Sequence, residues 1–402
     1  MYGLVLEGGG AKGAYQIGAY RALSEMGIKI KGVSGTSIGA LNGAMIVQGD
    51  LNKAYDLWYN ITPSKVFNIE DEQLKELINL EIKKESLSYW ANKIKALLTN
   101  KGVDTGRIKK IIKDNIDEEK IRNSNMDFGI VTVSISDKKP LELFKEDIPK
   151  GKMVNYLMAS ASFPLFKREK IDEKVFLDGG FYDNVPISML LSKGYKDIIV
   201  IRSFGLGRTR KVETSNLNIK YIEPKEDLGR ILDFSKVNAR KNLKLGYFDT
   251  LKTFKKLKGK YYYLKPLNDE LFFIKFLLDL PDENIYKVGK LLGLKETSKE
   301  RLLLEFLIPK LGYLLDVDTS CGYEDILILL FENIAKKCNV ERFKIYDFDS
   351  FVREIKRNFD SKILMPSRDI PSFIKQYDIL SRVVREEVLM EVTNELFKGV
   401  LW

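Results

Sequence analysis

The sequence predicts an α/β fold with a mostly parallel sheet, followed by an all-helical C-terminal region. Three observations carry this. Apolar runs of strand length alternate with helical patterns through the first 260 residues or so. Several of those runs are almost continuously apolar, as strands covered on both faces are. After about residue 265 the strand signals fade and long helical stripes take over.

The expected strands are 2–6, 28–34, 126–135, 175–177, 197–204 and 218–222. Helical patterns are expected over 14–26, 38–59, 70–98, 107–115 and 153–160. In the C-terminal part, Ile379, Leu380, Val383, Val384, Val388, Val392 and Leu396 recur at helical spacing, as do Phe351, Val352, Ile355 and Phe359. These stripes read as ordinary core faces. The expected domains are 1–262 and 263–402.

Composition bounds the chemistry. The 402 residues are 45% apolar and 30% charged, which suits a folded globular chain. No apolar stretch approaches the roughly 18–20 residues of a membrane span; the longest candidate, Leu271–Leu280, is interrupted by Lys275 and Asp279. The chain runs directly into a strand without a signal-peptide pattern, so a cytoplasmic location is expected, peripheral to a membrane at most. The two cysteines, Cys321 and Cys338, make neither a disulfide framework nor a metal-ligand spacing. There is no histidine. The usual general base and the usual zinc ligand are therefore missing, and catalysis must use other groups.

The net charge of +10 is uneven. Residues 201–265 carry 17 basic and 6 acidic side chains, an excess of 11 that alone accounts for it. The end of this segment, 251–265, has six lysines, four aromatics and no acid. It is expected either to lie as a solvated face or to touch an anionic membrane peripherally. No nucleic-acid partner is expected.

Two glycine-rich turns follow the first two strands. The first, "LEGGGAKGAY", contains G-x-G-x-x-G at Gly8, Gly10 and Gly13. A dinucleotide site would also need an acid near the end of the second strand, and none is there. A phosphate-binding P-loop pattern is absent too. An acyl-transfer enzyme, however, needs backbone N–H groups aimed at an oxyanion, and Gly8, Gly9 and Gly10 can supply them. Lys12 adds a positive charge or pairs with a carboxylate; the residues do not decide which.

The second turn, "GVSGTSIGALNGA", holds G-x-S-x-G at Gly35, Ser37 and Gly39, between a strand and a helix start. That is the layout of a nucleophile elbow, with the hydroxyl raised near a helix N-terminus. A plain N-cap serine fits the same pattern. A nucleophilic serine needs a base. Lysine at the S-x-x-K offset fails, because Ala40 stands there; the "SDKK" at Ser136–Lys139 reads as a polar turn. Asp178 is the alternative, at the end of an apolar strand and before Gly179 and Gly180. An ordinary aspartate has a pKa of ~3.9, so it would need partial burial to act as a base at neutral pH. A tight turn explains D-G-G equally well.

Taken in order, "GGGAKGAY", "GTSIG" and "DGG" resemble the patatin-like phospholipase family. "ASASFPLF" (159–166), "NVPI" (184–187) and "RILDFSKVNARKNLKLGYFDTLK" (230–252) extend the likeness over roughly residues 1–260. The resemblance implies a three-layer α/β/α fold and a Ser37–Asp178 dyad. It also implies an oxyanion loop at Gly8–Gly10, with Lys12, Gly13, Gly35, Gly39, Gly179 and Gly180 as supporting motif residues. It implies action on lipid acyl esters, with no metal and no cofactor. Acyl transfer to another alcohol, or a non-catalytic role, are the alternatives. The region after 265 has no counterpart in the resemblance.

Overall fold

The computed structural model describes residues 1–67, 104–166, 170–317, 321–359 and 382–400. The expected helix at 70–98, and Ile379, Leu380 and the side chain of Val383, lie outside them. The chain divides into two compact units, Met1–Thr253 and Phe254–Trp402. The division falls ahead of residue 262 because Tyr262 and Leu264 are buried in the core of the second unit.

The first unit is built on one sheet: β1 (Tyr2–Leu6), β2 (Ile30–Thr36), β3 (Asp127–Ser134), β4 (Lys139–Phe144), β5 (Lys170–Ile171), β6 (Lys174–Asp178), β7 (Asp197–Ile201) and β8 (Asn218–Ile222). Their order is β5-β6-β3-β2-β1-β7-β8, with β4 also on β3. The pairs among β3, β2, β1, β7 and β8 are parallel. Those of β3 with β4 and β6, and of β5 with β6, are antiparallel. β4 was not legible in the sequence: its pattern, exposed or half-exposed throughout, carries no apolar run.

Helices cover both faces. Leu6, Val33 and Phe128 look toward α2 (Ile38–Val47), where Gly43 lets the helix settle on them. On the opposite face, Val5, Ile198 and Val200 pack with Ile187 and Leu190 of the helix Ile187–Ser192. This is the three-layer α/β/α arrangement, and it explains why β1 and β7 are apolar at every position of their cores.

The long helix expected over 38–59 is two: α2, and a second over Leu51–Tyr59, parted by Gly49 at φ +84°. The strand expected to reach Phe204 stops at Ile201, because Ser203 and Phe204 turn their N–H groups to the Glu7 carboxylate instead.

The second unit is mainly helical around one core. Phe351, Ile355, Val388, Val392 and Leu396 are buried in it, as their spacing predicts. One departure from all-helical is a two-residue parallel pair, Tyr263–Leu264 with Ile345–Tyr346.

In the basic aromatic stretch 251–265, Lys255, Lys256, Lys260 and Lys265 are exposed, whereas the aromatics are half-buried or buried. Tyr262 and Tyr263 are buried. The N–H groups of Lys260, Tyr261 and Tyr262 close around the buried Glu332 carboxylate. Lys258 pairs with Asp325. The lysine excess is partly neutralised by the core it wraps, which a count along the chain does not reveal.

Candidate active site

The sheet register brings Ser37 and Asp178 together. β4 occupies one edge of β3 along Gly129–Ser134. β2 and β6 therefore share the other edge, and they meet head to head. β2 ends with Thr36 opposite Val131; β6 ends with Asp178 opposite the next residue, Thr132. The residue leaving β2 is Ser37. Its Oγ donates to Asp178 Oδ2 at 2.6 Å.

Ser37 sits at φ +56°, ψ −123°, a left-handed conformation disfavoured for a side-chain-bearing residue. The turn is possible because its neighbours lack side chains. A Cβ on Gly35 would lie 2.4 Å from the Gly39 carbonyl oxygen, and one on Gly39 would lie 2.2 Å from that of Leu6. Ser160, which the sequence reading did not single out, holds the elbow. Its Oγ accepts the Ser37 N–H at 3.0 Å and donates to the Val131 carbonyl at 2.6 Å. Two residues on, the Ser162 carbonyl accepts the Asp178 N–H at 2.9 Å. Both residues lie in "ASASFPLF", so one short stretch braces both members of the pair. A buried serine among small residues carries no signal of that role by itself.

Asp178 is 5% exposed. Burial raises its pKa to about 6, although hydrogen bonds from Ser37 and from the Gly180 N–H oppose the rise. Gly179 lies against the Val131 carbonyl, where a Cβ would come within 2.2 Å. Thus D-G-G serves both as a tight turn and as a seat for the carboxylate.

The first glycine loop lines the same cavity. Gly8, Gly9, Gly10, Ser37 and Asp178 all face it. Their amides are not equivalent. Gly8 N–H is committed to the Asn184 carbonyl at 3.1 Å. Among the described residues, the N–H groups of Gly9 and Gly10 have no acceptor. Of the three expected donors, Gly9 and Gly10 are thus the two whose N–H groups are left open among the described residues. Gly10 is at φ +56°, with the Ile231 carbonyl where a Cβ would go. Gly13, the third glycine of the pattern, lies against Ile38 and Trp58 and lets the helix Gly13–Glu25 seat closely. Lys12 Nζ donates to the Phe204 carbonyl at 3.1 Å.

Behind the loop, the buried Glu7 carboxylate binds Arg202 and the N–H groups of Ser203 and Phe204. This fastens β1 to the turn after β7.

The cavity holds about 1310 Å³ of space, counting the part open to solvent. Among the described residues, its polar side chains besides Ser37 and Asp178 are three asparagines, and each donates its amide to a protein acceptor. Asn42 bonds Gly13, Gln16 and Trp58; Asn115 bonds the Ile111 carbonyl; Asn184 bonds Glu7 and Gly8. What remains is a hydrocarbon wall from α2, the helix Gly106–Asn115 and the rings of Trp58, Phe163, Phe166 and Phe234.

Residues 4–191 match the family model described as patatin-like phospholipase. Over that stretch the chain is similar to the patatin-like phospholipase family. A patatin-like phospholipase domain-containing protein of Caenorhabditis elegans is 25% identical over 276 residues, 66% of this chain and 18% of its own length. Protein 7 of that series in Rattus norvegicus is 28% identical over 205 residues, 49% of this chain and 13% of its own. The chain thus spans less than a fifth of these relatives. A short stretch of 43 residues is 60% identical to a lysophospholipase of Aspergillus terreus, covering 11% of this chain and 3% of that protein. Among solved structures, VipD from Legionella pneumophila matches with a TM-score of 0.40 and 13% identity, over 100% of this chain and 92% of that one. Among the described residues no acidic, cysteine or histidine cluster could hold a metal ion, and no helix is long and apolar enough to cross a membrane.

Proposed function

We propose that the patatin-like domain hydrolyses a carboxylic ester of a lipid through an acyl-enzyme on Ser37. The observation that carries this reading is the 2.6 Å Ser37–Asp178 hydrogen bond in a cavity lined mainly by hydrocarbon, beside two glycine amides that have no acceptor among the described residues. Asp178 takes the proton of Ser37 as its Oγ bonds to the ester carbonyl carbon. The oxyanion is held by the N–H groups of Gly9 and Gly10. Protonated Asp178 then gives the proton to the leaving alcohol as the ester C–O bond breaks. A water molecule, deprotonated by Asp178, attacks the acyl carbon; the bond to Ser37 Oγ breaks as Asp178 returns the proton to it, and the fatty acid leaves. A pKa near 6 suits both halves: the carboxylate is mostly ionised at neutral pH, yet a stronger base than an ordinary aspartate.

Transfer of the acyl group to a second alcohol would use the same first half-reaction. The test is labelling by a fluorophosphonate probe and hydrolysis of monoacyl and diacyl phospholipids. Wild-type protein should be labelled and active, and Ser37→Ala neither. Hydrolysis persisting in folded Ser37→Ala overturns the reading.

A further inference from the structure

The cavity rim holds one residue whose identity the fold does not explain. Phe204 has φ +47° and is 41% exposed. Its backbone is pinned: the N–H donates to Glu7, the carbonyl accepts from Lys12, and Gly205 lies hard against the Gly8 carbonyl. That accounts for the turn, but not for a phenylalanine in it. Asparagine or glycine would meet the left-handed φ at less cost. The ring itself has the Arg202 guanidinium over one face, 5.2 Å from its centroid.

The surroundings say what the ring is aimed at. Leu206, two residues on, and Phe181, 37% exposed, both line the cavity; Phe204 does not, but Ser203 and Gly205 on either side of it pack on Gly8 and Gly9, which do. Residues 202–211 contain four cations and no acid. Arg202 is paired with Glu7, and Arg210 with Glu142. Arg208 and Lys211 are exposed, and among the described residues their side chains have no acceptor. Arg208 is fixed at the lip through its backbone, its N–H donating to Gly180 and its carbonyl accepting from Asn184. The nearest acid along the chain, Glu213, accepts the Ser215 N–H. Exposed aromatic rings beside unpaired cations, at the mouth of a hydrocarbon cavity, complement an anionic lipid surface: rings enter the interface and cations meet the headgroups.

We propose that this rim, with Phe204 as its apolar tip and Arg208 as its cation, docks the domain on an anionic lipid surface. The proposal rests on the lipid-ester reading and extends it by placing the cavity mouth against the bilayer. It also gives Lys12 a role, as the strut that holds Phe204 outward. The basic stretch 251–265 is not needed for it.

The test uses the full chain carrying Ser37→Ala, so that vesicles stay intact. Its binding to mixed phosphatidylcholine–phosphatidylglycerol vesicles and to pure phosphatidylcholine vesicles is measured by flotation. The parent is expected to bind the anionic vesicles and bind the neutral ones much less. Phe204→Asn, which suits the local φ, and Arg208→Glu are each expected to weaken anionic binding by about fivefold or more. In the chain with Ser37 intact, both variants should hydrolyse a water-soluble short-chain ester within about twofold of wild type, since neither side chain faces the reacting atoms. Unchanged vesicle binding in both variants overturns the proposal. So does equal binding to neutral vesicles, or binding of heparin but not vesicles. Failure of the catalytic reading is seen separately, as soluble-ester hydrolysis that survives Ser37→Ala.

Discussion

Asp178 and Asp183 lie five residues apart, and each is buried with its pKa raised to about 6. Each accepts backbone N–H groups: Asp178 from Gly180, Asp183 from Val185 and Arg210. By charge and burial they are near twins. They differ in what faces the second oxygen. Asp178 Oδ2 meets the Ser37 hydroxyl in the cavity, whereas Asp183 Oδ2 is buried with no partner among the described residues. On the proposed reading, a perturbed carboxylate is not by itself a base; a proton donor within hydrogen-bond reach makes it one.

The largest effect should separate the twins by activity. Ser37→Ala and Asp178→Asn are expected to lower kcat for ester hydrolysis by at least about 10³-fold, and Asp183→Asn by less than about tenfold. Equal losses in the two aspartate variants would show that Asp183 also serves the reaction. The pH dependence sharpens the contrast. Activity should rise as pH increases through about 6, as Asp178 ionises, and Asp183→Asn should leave that inflection in place.

Stability should treat the twins alike. Both folded pKa values lie above the ordinary value of 3.8, so both groups favour the folded state when protonated. That advantage is complete below about pH 4 and is lost as pH rises through about 6. Asp183→Asn is therefore expected to be more stable than wild type at pH 7 by on the order of 2–3 kcal/mol, with the gap closing toward pH 4. Asp178→Asn should gain in the same direction. Urea denaturation at both pH values checks this, and a constant gap would mean that the buried charge is not the cause.

A third change tests the brace rather than the reacting atoms. Ser160→Ala removes both hydrogen bonds that hold the elbow, leaving the Ser37 N–H and the Val131 carbonyl to find others. About 1–2 kcal/mol of stability should go. The fall in kcat should be roughly 10-fold, with KM little changed, because geometry and not affinity is disturbed. A change confined to KM would assign Ser160 to the cavity wall instead.

How much of this was legible follows from how far each signal reaches along the chain. Strands β1, β2, β3 and β7 announce themselves because burial on both faces makes most of their positions apolar. The G-x-S-x-G turn is equally local, as its glycines answer contacts within a few residues and with the neighbouring strand. From its own neighbourhood Asp178 reads as a strand-end acid, and only the family resemblance pairs it with Ser37. Its meeting with Ser37 depends on β4 filling one edge of β3, and β4 has no apolar pattern to betray it. The role of Ser160 depends on a contact across 123 positions of the chain. The setting of the basic aromatic stretch is hidden for the same reason: Glu332, which its backbone encloses, lies some 70 residues away. Composition sees charge but not its partner.

The smallest expected effect concerns how far the cavity runs from the pair. Ile38, Leu41 and Met45 lie on one face of α2 and line it. From Ser37 to Met45 the helix rises about 12 Å, the span of about ten carbons of an extended acyl chain. Gln48 donates to the Asn115 carbonyl at 2.8 Å and accepts the Asp117 N–H at 3.0 Å, tying the end of α2 to the end of the helix Gly106–Asn115. Met45 is therefore expected to meter chain length. Met45→Trp should move the preferred ester toward shorter chains, with kcat/KM falling about fourfold for each methylene it excludes. Met45→Ala should move it the other way, and short esters should react at the wild-type rate in both. A length profile unmoved by either substitution would mean that the acyl chain turns away from α2, toward Trp58 and Phe234, the other wall of the same cavity.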